Sequence, residues 1–202
     1  MAKNARYCVP YRRRREARTD YRARRALVLS GIPRLVARNS IKNTIAEIIL
    51  AKPEGDHVLV AAHSKELAKR FGWKASGRNL PAAYLTGLLC GLKANAENIE
   101  EANLDIGLYT PSKGATIFGV LKGVLDAGVH VAHSEEKLPS KERIEGDHIA
   151  DYAKSLSANP EEYQAKFSKY LVQKLSPEEL PKHFAEVKAN IIAAYAVGEK
   201  KA

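Results

Sequence analysis

The residues best suited to chemistry are the arginines and tyrosines at the start of the chain. Ten cationic and two acidic side chains fall in positions 1–25, a net charge of +8, whereas positions 26–202 contribute only +2 to the total of +10. Arginine donates paired hydrogen bonds to phosphate and stacks on bases, and tyrosine offers a flat ring to an unpaired base. The cations are Lys3, Arg6, Arg12, Arg13, Arg14, Arg15, Arg18, Arg22, Arg24 and Arg25, with Tyr7, Tyr11 and Tyr21 between them. This pattern predicts that the N-terminal arm, defined as residues 1–25, binds RNA.

Other interpretations of this charge stay open at the level of sequence. A block of like charge also occurs in tails that are only solvated. A DNA-binding or chromatin-like basic protein would show the same net charge, but as a generic polycation it would have little preference for a folded RNA over duplex DNA. We expect the arm to become ordered only on RNA, since so high a net charge in so short a segment opposes independent folding.

A metal-dependent nuclease is a further alternative. Asp105 lies in a strand-like run, and Asp126 with Glu135 or Glu136 could in principle join it to hold two Mg²⁺ ions. The competing interpretation is that Asp105 caps the end of a strand or faces solvent. We predict no catalytic residues, because Asp126 has no acidic partner one helical turn away to serve as a second ligand.

His130 and His133, with Glu135, suggest a zinc site, but they would point to opposite faces of a strand. Gly128 and two nearby valines argue against the helix that would bring them together. No glycine-rich segment has the order required for a nucleotide-binding loop. We therefore predict no metal site and no cofactor.

The composition limits the remaining possibilities. With 202 residues, 45% of them apolar, the chain can form one domain with a real core, or one domain with an appendage. Cys8 and Cys90 form no metal-binding spacing and predict reduced thiols in a cytoplasmic protein. No apolar run reaches the roughly 18 residues of a membrane span. The N-terminus has no apolar segment like that of a signal peptide, and Glu16 and Asp20 argue against an organelle transit peptide.

The elements that follow the arm in the sequence connect it to the core. Pro10 predicts an extended start, and a helical pattern begins near Arg13, with Asp20 placed to pair with Arg24 one turn later. Residues 30–33 (SGIP) end this predicted helix.

Three strand-like runs, at 34–38, 45–50 and 58–62, are separated by turn-rich segments and predict an antiparallel meander. Arg34 and Arg38 have the same parity in the first strand, so both should project from one face. We expect this face to be exposed to solvent and available to RNA.

Two helices that each contain a row of glycine and alanine along one side are predicted in the core. Ser64 is expected to cap a short helix before a loop at 71–78, and Asn79 then opens a helix that ends near Asn95. In this helix and in another at 115–127, small residues recur every fourth position. Glycine inside a helix costs roughly 1 kcal/mol relative to alanine, so the stripes predict close packing against the sheet or against each other.

Strands at 103–108 and 129–131 complete the predicted fold. The expectation is an α/β fold with a mixed sheet, an antiparallel meander and packed helices, plus a basic N-terminal extension and a helical C-terminal appendage. The predicted divisions are 1–32 for the arm and its helix, 33–139 for the α/β core and 140–202 for the helical appendage. The appendage is expected to pack on this core or on a neighbour.

Several stretches make the chain resemble a known family. They are 6–16 (RYCVPYRRRRE), 19–24 (TDYRAR), 61–64 (AAHS), 71–74 (FGWK), 79–89 (NLPAAYLTGLL), 104–108 (LDIGL) and 133–136 (HSEE). They resemble the archaeal and eukaryotic type of the large-subunit ribosomal protein that binds 5S ribosomal RNA, protein eighteen of the large subunit in archaeal naming.

The resemblance implies a structural protein of the ribosome rather than an enzyme. It implies binding to 5S rRNA, attachment of that RNA to the large-subunit rRNA in the central protuberance, and contacts with neighbouring ribosomal proteins. It also implies an arm that threads along RNA and a ribonuclease-H-like α/β layer without the catalytic carboxylates.

The expected RNA contacts fall into two groups. The arm should supply most of the affinity, and the strand face and loops should fix the register on a folded RNA by shape. Trp73 could instead be a core residue, and that alternative stays open. The arm residues are Arg6, Tyr7, Tyr11, Arg12, Arg13, Arg14, Arg15, Arg18, Thr19, Tyr21, Arg22, Arg24 and Arg25, and the others are Arg34, Arg38, Lys42, Trp73, Lys74 and Lys113.

Overall fold

The computed structural model describes residues 4–196. Lys3 of the predicted arm and residues 197–202 of the predicted C-terminal appendage lie outside this part. The strands of the described part are β1 (Arg34–Asn39), β2 (Thr44–Lys52), β3 (Gly55–His63), β4 (Glu101–Asp105) and β5 (His130–Val131). Its α-helices are α1 (Arg12–Arg15), α2 (Tyr21–Leu29), α3 (Ser64–Phe71), α4 (Leu80–Ala96), α5 (Thr116–Asp126), α6 (Lys141–Glu145), α7 (Asp147–Leu156), α8 (Pro160–Val172) and α9 (Leu180–Ala196). The α/β character predicted from the sequence is confirmed.

The strands form one mixed sheet in the order β3-β2-β1-β4-β5. β2 is antiparallel to both β1 and β3, which confirms the predicted meander, while β4 is parallel to β1 and β5 is parallel to β4. Leu35 and Ile48 are fully buried on the face that α4 and α5 cover. Alternate residues of β1, including Arg34 and Arg38, project from the opposite face. α2 directly precedes β1 in the sequence and lies on the side of the sheet that this second face forms.

The glycine stripes of α4 and α5 pack against each other. A Cβ atom at Gly87 would collide with the backbone of Val120, and one at Gly123 would collide with the backbones of Tyr84 and Leu88. Glycine is needed at these positions because another backbone occupies the space of a side chain. The predicted close approach is therefore confirmed, and it is an approach of helix to helix.

The C-terminal helix α9 shares the hydrophobic core with α3 and α4. Leu180, Phe184, Val187 and Ile191 are all buried and belong to the same apolar cluster as the sheet residues. The ring of Phe184 lies 5.6 Å from that of Tyr84 on α4. Residues 180–191 thus pack on this core, which is one of the two locations predicted for the appendage.

Three local predictions were wrong. The helix expected to run on from Arg13 is broken: α1 ends at Arg15, Ala17 has a φ of +50°, and a new helix begins after Asp20. The Asp20 side chain accepts hydrogen bonds from the backbone N–H groups of Arg22 and Ala23, so it caps α2 and does not pair with Arg24.

The cap of α3 lies one residue earlier than predicted. His63 caps this helix, accepting from the Lys65 N–H, and Glu66 accepts from the His63 N–H in return. Ser64 instead donates its hydroxyl to Asn43 and accepts from the Thr44 N–H. The serine therefore ties the start of β2 to α3. No helix in the described residues is long and apolar enough to cross a membrane.

We predict that Gly123→Ala destabilises the protein by about 1–3 kcal/mol, because the added methyl group meets backbone atoms that cannot rotate away. Gly119→Ala, one turn earlier on the same helix, is the matched control. There the new methyl would meet mainly the end of the flexible Leu80 side chain. Chemical denaturation should show a clear loss for Gly123→Ala and little loss for Gly119→Ala. Equal stability of the two variants would contradict the proposed backbone contact.

Candidate nucleic-acid interface

The described part of the arm presents a row of exposed cations. All four arginines of α1 are exposed, as are Arg6 and Arg18, and the exposed fraction of Tyr11 is 76%. Contacts of these side chains to the rest of the chain are local, such as the Arg13 Nε–H donated to Thr19 Oγ1 at 2.8 Å. The Tyr11 ring lies 5.9 Å from the ring of Tyr21. This segment can therefore meet phosphates without losing contacts to the core.

α2 has an inner and an outer side. Tyr21, Arg24 and Leu27 recur every third residue and are partly buried, whereas Arg22 and Arg25 are exposed. The helix thus turns one of its arginines toward the sheet and two toward solvent. The sequence suggested no such division, because all three lie in the same basic run.

A chain of ion pairs runs from α2 across the second face of the sheet. Both guanidinium nitrogens of Arg24 donate to Asp56 at the start of β3, at 2.9 and 2.7 Å. Oδ2 of Asp56 lies 3.0 Å from Nη2 of Arg34 on β1. Nη1 of Arg34 donates to Asp105 at 2.8 Å, and Nη2 of Arg38 donates to the same carboxylate at 3.1 Å. We call these five residues the arginine–aspartate chain.

The prediction that Arg34 lies on an exposed face was wrong. Its exposed fraction is only 2%, and its guanidinium lies between Asp56 and Asp105. The parity argument placed Arg34 and Arg38 on one face, but that face is lined by carboxylates that lie far from Arg34 along the sequence. A buried guanidinium has no access to phosphate, so Arg34 acts inside the protein.

Arg38 is partly exposed and partly engaged. It donates to the carbonyl oxygens of Ala37 and Asp105 as well as to the Asp105 carboxylate. Its guanidinium also lies against Gly107, where a Cβ atom would be 3.0 Å from Nη2. Arg38 therefore has a fixed orientation at the edge of the arginine–aspartate chain.

Asp56 must be ionised for the arginine–aspartate chain to form. Hydrogen bonding from Arg24 is the main cause that lowers the pKa of Asp56 below its ordinary value of 3.8, with Arg34 adding to the effect and partial burial opposing it. A carboxyl group whose pKa is lower in the folded state stabilises the fold above its ordinary pKa. That stability is lost as the pH falls through the lower, folded-state pKa.

Asp105 has a structural role in this arrangement. It is 9% exposed, ends β4, and accepts the N–H of Gly107 in addition to the two arginines. Asp126 is engaged elsewhere, by the hydroxyl of Tyr84 and the ammonium of Lys122. Within residues 4–196 no group of three histidine, cysteine or acidic side chains could hold a metal ion. The interpretation of Asp105 as a strand-end cap fits these contacts.

Of the two interpretations left open for Trp73, the core residue fits the structure and the base-stacking contact does not. Trp73 is 3% exposed, its ring stacks on His183 of α9 at 5.2 Å, and its Nε1–H donates to the Ser76 carbonyl. Burial is the main cause that lowers the pKa of His183. Neutral His183 accepts the Lys74 N–H at Nε2. The aromatic residue thus joins the loop to α9.

Three loops meet at one end of the sheet, and we call residues 39–43, 73–79 and 106–115 the loop surface. Asn43 and Gly77 form an isolated β-bridge, and the Tyr109 hydroxyl donates to the Asn39 carbonyl. None of the three segments contains an acidic residue. Lys42, Lys74, Arg78 and Lys113 are exposed on them. Arg78 was missed in the sequence, although the absence of acids in its loop was a usable signal.

The structure therefore sorts the predicted contact residues by accessibility. Arg34 and Trp73 are buried, and Thr19, Tyr21, Arg24 and Arg38 are partly buried. The exposed ones are Arg6, Tyr7, Tyr11, Arg12, Arg13, Arg14, Arg15, Arg18, Arg22, Arg25, Lys42, Lys74 and Lys113.

Comparison with known protein families gives a match over most of the chain. A family model described as "Ribosomal large subunit proteins 60S L5, and 50S L18" matches residues 5–100 and 92–134. The matched region contains the arm from residue 5, the complete sheet, and α1 to α5. It includes every residue of the arginine–aspartate chain and of the loop surface.

We predict that Asp105→Asn destabilises the fold by about 2–4 kcal/mol, because it removes a counter-charge from a buried guanidinium. The matched control is Asp151→Asn, which removes the same charge from an exposed pair with Lys154. Such surface pairs contribute roughly 0–1 kcal/mol. The free energies of unfolding should be measured by denaturant titration at neutral pH. A cost for Asp105→Asn no larger than that for Asp151→Asn would contradict the structural role of Asp105.

Proposed function

This chain belongs to the family of ribosomal large-subunit proteins 60S L5 and 50S L18, and we propose that it binds 5S rRNA and helps attach it to the large-subunit rRNA. The proposed location is the central protuberance of the cytoplasmic ribosome. The observation that carries the proposal is the exposed row of arm cations, on a chain that is close to neutral beyond the arm. A polyanion is the partner that this charge distribution favours.

The arm supplies most of the affinity in this mechanism. Arg12, Arg13, Arg14 and Arg15 occupy one short helix and are all exposed, so they can reach phosphates on more than one side. Tyr7 and Tyr11 offer exposed rings on which unpaired bases can stack. Neutralising phosphates releases counterions, which makes the binding strongly dependent on salt.

The loop surface fixes the register of the RNA. Lys42, Lys74, Arg78 and Lys113 are carried on loops that are tied to one another and to the ends of strands, so their positions relative to the sheet are set by the fold. Contacts of this kind recognise the shape of a folded RNA rather than its sequence. Arg34 and Trp73 are withdrawn from the proposed contact set because both are buried.

The three predicted divisions of the chain receive different roles. Residues 1–32 bind RNA, 33–139 form a ribonuclease-H-like α/β layer that positions it, and the helices from 140 onward contact neighbouring ribosomal proteins. We assign no catalytic step to this layer. Support for this assignment comes from Asp105, whose carboxylate is already occupied by two arginines.

The experiment compares two variants that each lose four positive charges. One replaces Arg12, Arg13, Arg14 and Arg15 with glutamine, and the control replaces the exposed Lys141, Lys154, Lys166 and Lys169 with glutamine. For the unmodified chain, neutralising roughly six to eight phosphates gives a slope of log K against log[salt] on the order of −5 to −7. The arm variant should lose about three to four units of slope, and the control should keep nearly all of it.

Binding should be measured to 5S rRNA and to duplex DNA at equal salt. We expect a clear preference for the RNA, since only a folded RNA can meet the arm and the loop surface together. A wild-type slope near −1 to −2, or equal slopes for the two variants, would contradict the proposed role of the arm. Equal affinity for both nucleic acids would favour a generic polycation.

A further inference from the structure

Asp56 is an acidic residue that contacts the helix leading from the proposed RNA-binding arm into the sheet. It lies at the start of β3, directly after the turn that follows β2, and its side chain is partly exposed. A carboxylate close to bound phosphates opposes binding, because like charges repel. Its contacts with the arm explain why an acidic residue can favour binding at this place.

Arg24 depends on Asp56 more than Arg34 does. Arg34 has a second carboxylate partner, Asp105, at 2.8 Å. Both oxygens of Asp56 accept from Arg24, at 2.9 and 2.7 Å, and Asp56 is the one carboxylate that pairs with Arg24 in the described residues. A guanidinium held by two parallel hydrogen bonds is fixed in orientation as well as in position.

The orientation of Arg24 determines which residues of α2 face outward. With Arg24 turned toward the sheet, Arg22 and Arg25 are exposed. The helix starts at the Asp20 cap, one turn before Arg24, so the preceding part of the arm begins at the end of α2 that is close to this contact.

We propose that Asp56 is a positioning residue for RNA binding, holding α2 so that the arm and its outer arginines meet the RNA together with the loop surface. This inference rests on the proposed function. The negative charge of Asp56 by itself would weaken the binding of RNA, whereas its contact with Arg24 strengthens that binding in this proposal. Hydrogen bonding from Arg24, which lowers the pKa of Asp56, keeps the carboxylate ionised at neutral pH.

The decisive variant is Asp56→Asn, studied in the full-length chain with 5S rRNA. We expect binding to weaken about three- to tenfold, the change produced when the fraction of correctly docked arms falls to between a third and a tenth. The matched control is Glu54→Gln, which removes the same charge from a nearby exposed side chain that pairs with no cation in residues 4–196. For Glu54→Gln we expect unchanged or slightly tighter binding.

A second variant separates positioning from charge. Arg24→Lys keeps the positive charge but removes the paired hydrogen bonds, so it should weaken binding as much as Asp56→Asn does. The double variant, Arg24→Lys with Asp56→Asn, should bind no more weakly than the weaker of the two single variants, because both substitutions break the same contact.

Hydrogen exchange in the free protein tests the docking of α2 without RNA. Amides of residues 21–29 should exchange several-fold faster in Asp56→Asn than in Glu54→Gln, while those of β1 and β2 stay protected in both. Unchanged exchange in α2 would overturn the inference, whatever the RNA result.

The binding outcomes are equally distinct. Wild-type binding to 5S rRNA combined with equal or tighter binding by Asp56→Asn would overturn the positioning role while leaving the proposed function intact. Failure of the wild type to prefer 5S rRNA over duplex DNA would instead contradict the proposed function and with it the RNA-binding role of Asp56, whereas faster exchange of α2 in Asp56→Asn would still show that Asp56 holds this helix on the sheet.

Discussion

The rest of this structure depends on the burial of one guanidinium, that of Arg34. Removing a charge from water is costly unless counter-charges and hydrogen bonds replace the solvent. Nε and Nη2 of Arg34 have no hydrogen-bond partner in the described residues, and Nη2 is compensated by the charge of Asp56 at 3.0 Å. Asp56 and Asp105 supply the counter-charges from two other strands. The ion pairs therefore link β1, β3 and β4 on one face of the sheet, and through Arg24 they extend to α2, whose first residues belong to the arm.

This arrangement separates two uses of arginine in one chain. Arg34 is enclosed by carboxylates and acts in the fold, whereas the arginines of α1 are exposed and have mainly local contacts. Arg24 and Arg38 lie between these extremes, each joined to an aspartate and partly exposed. On the opposite face of the sheet, α4 and α5 approach through their glycines and form a closely packed layer. The basic surface that we propose to bind RNA can thus sit on a core that is nearly neutral.

Sequence patterns predicted several features that depend on neighbouring residues, although not the break after α1 or the cap of α3. The cap at Asn79, the meander and the small-residue stripes follow from spacing within one element or one hairpin, and all of them are confirmed. The environment of Arg34 and Trp73 could not be predicted in this way. Strand parity shows that Arg34 and Arg38 share a face, but it does not show that Asp56 and Asp105 line that face. His183, which covers Trp73, belongs to the last helix of the described chain, and no local spacing connects the two.

Ultraviolet crosslinking of the complex with 5S rRNA, with the sites located by mass spectrometry, tests the central claim most directly. The claim is that the exposed arm contacts this RNA while the buried aromatic residues of the core do not. We predict crosslinks at Tyr7 and Tyr11, whose rings are exposed, and at the loop surface, with none at Trp73. Crosslinks confined to the helices after residue 140, or crosslinks at Trp73 without any in the arm, would contradict it.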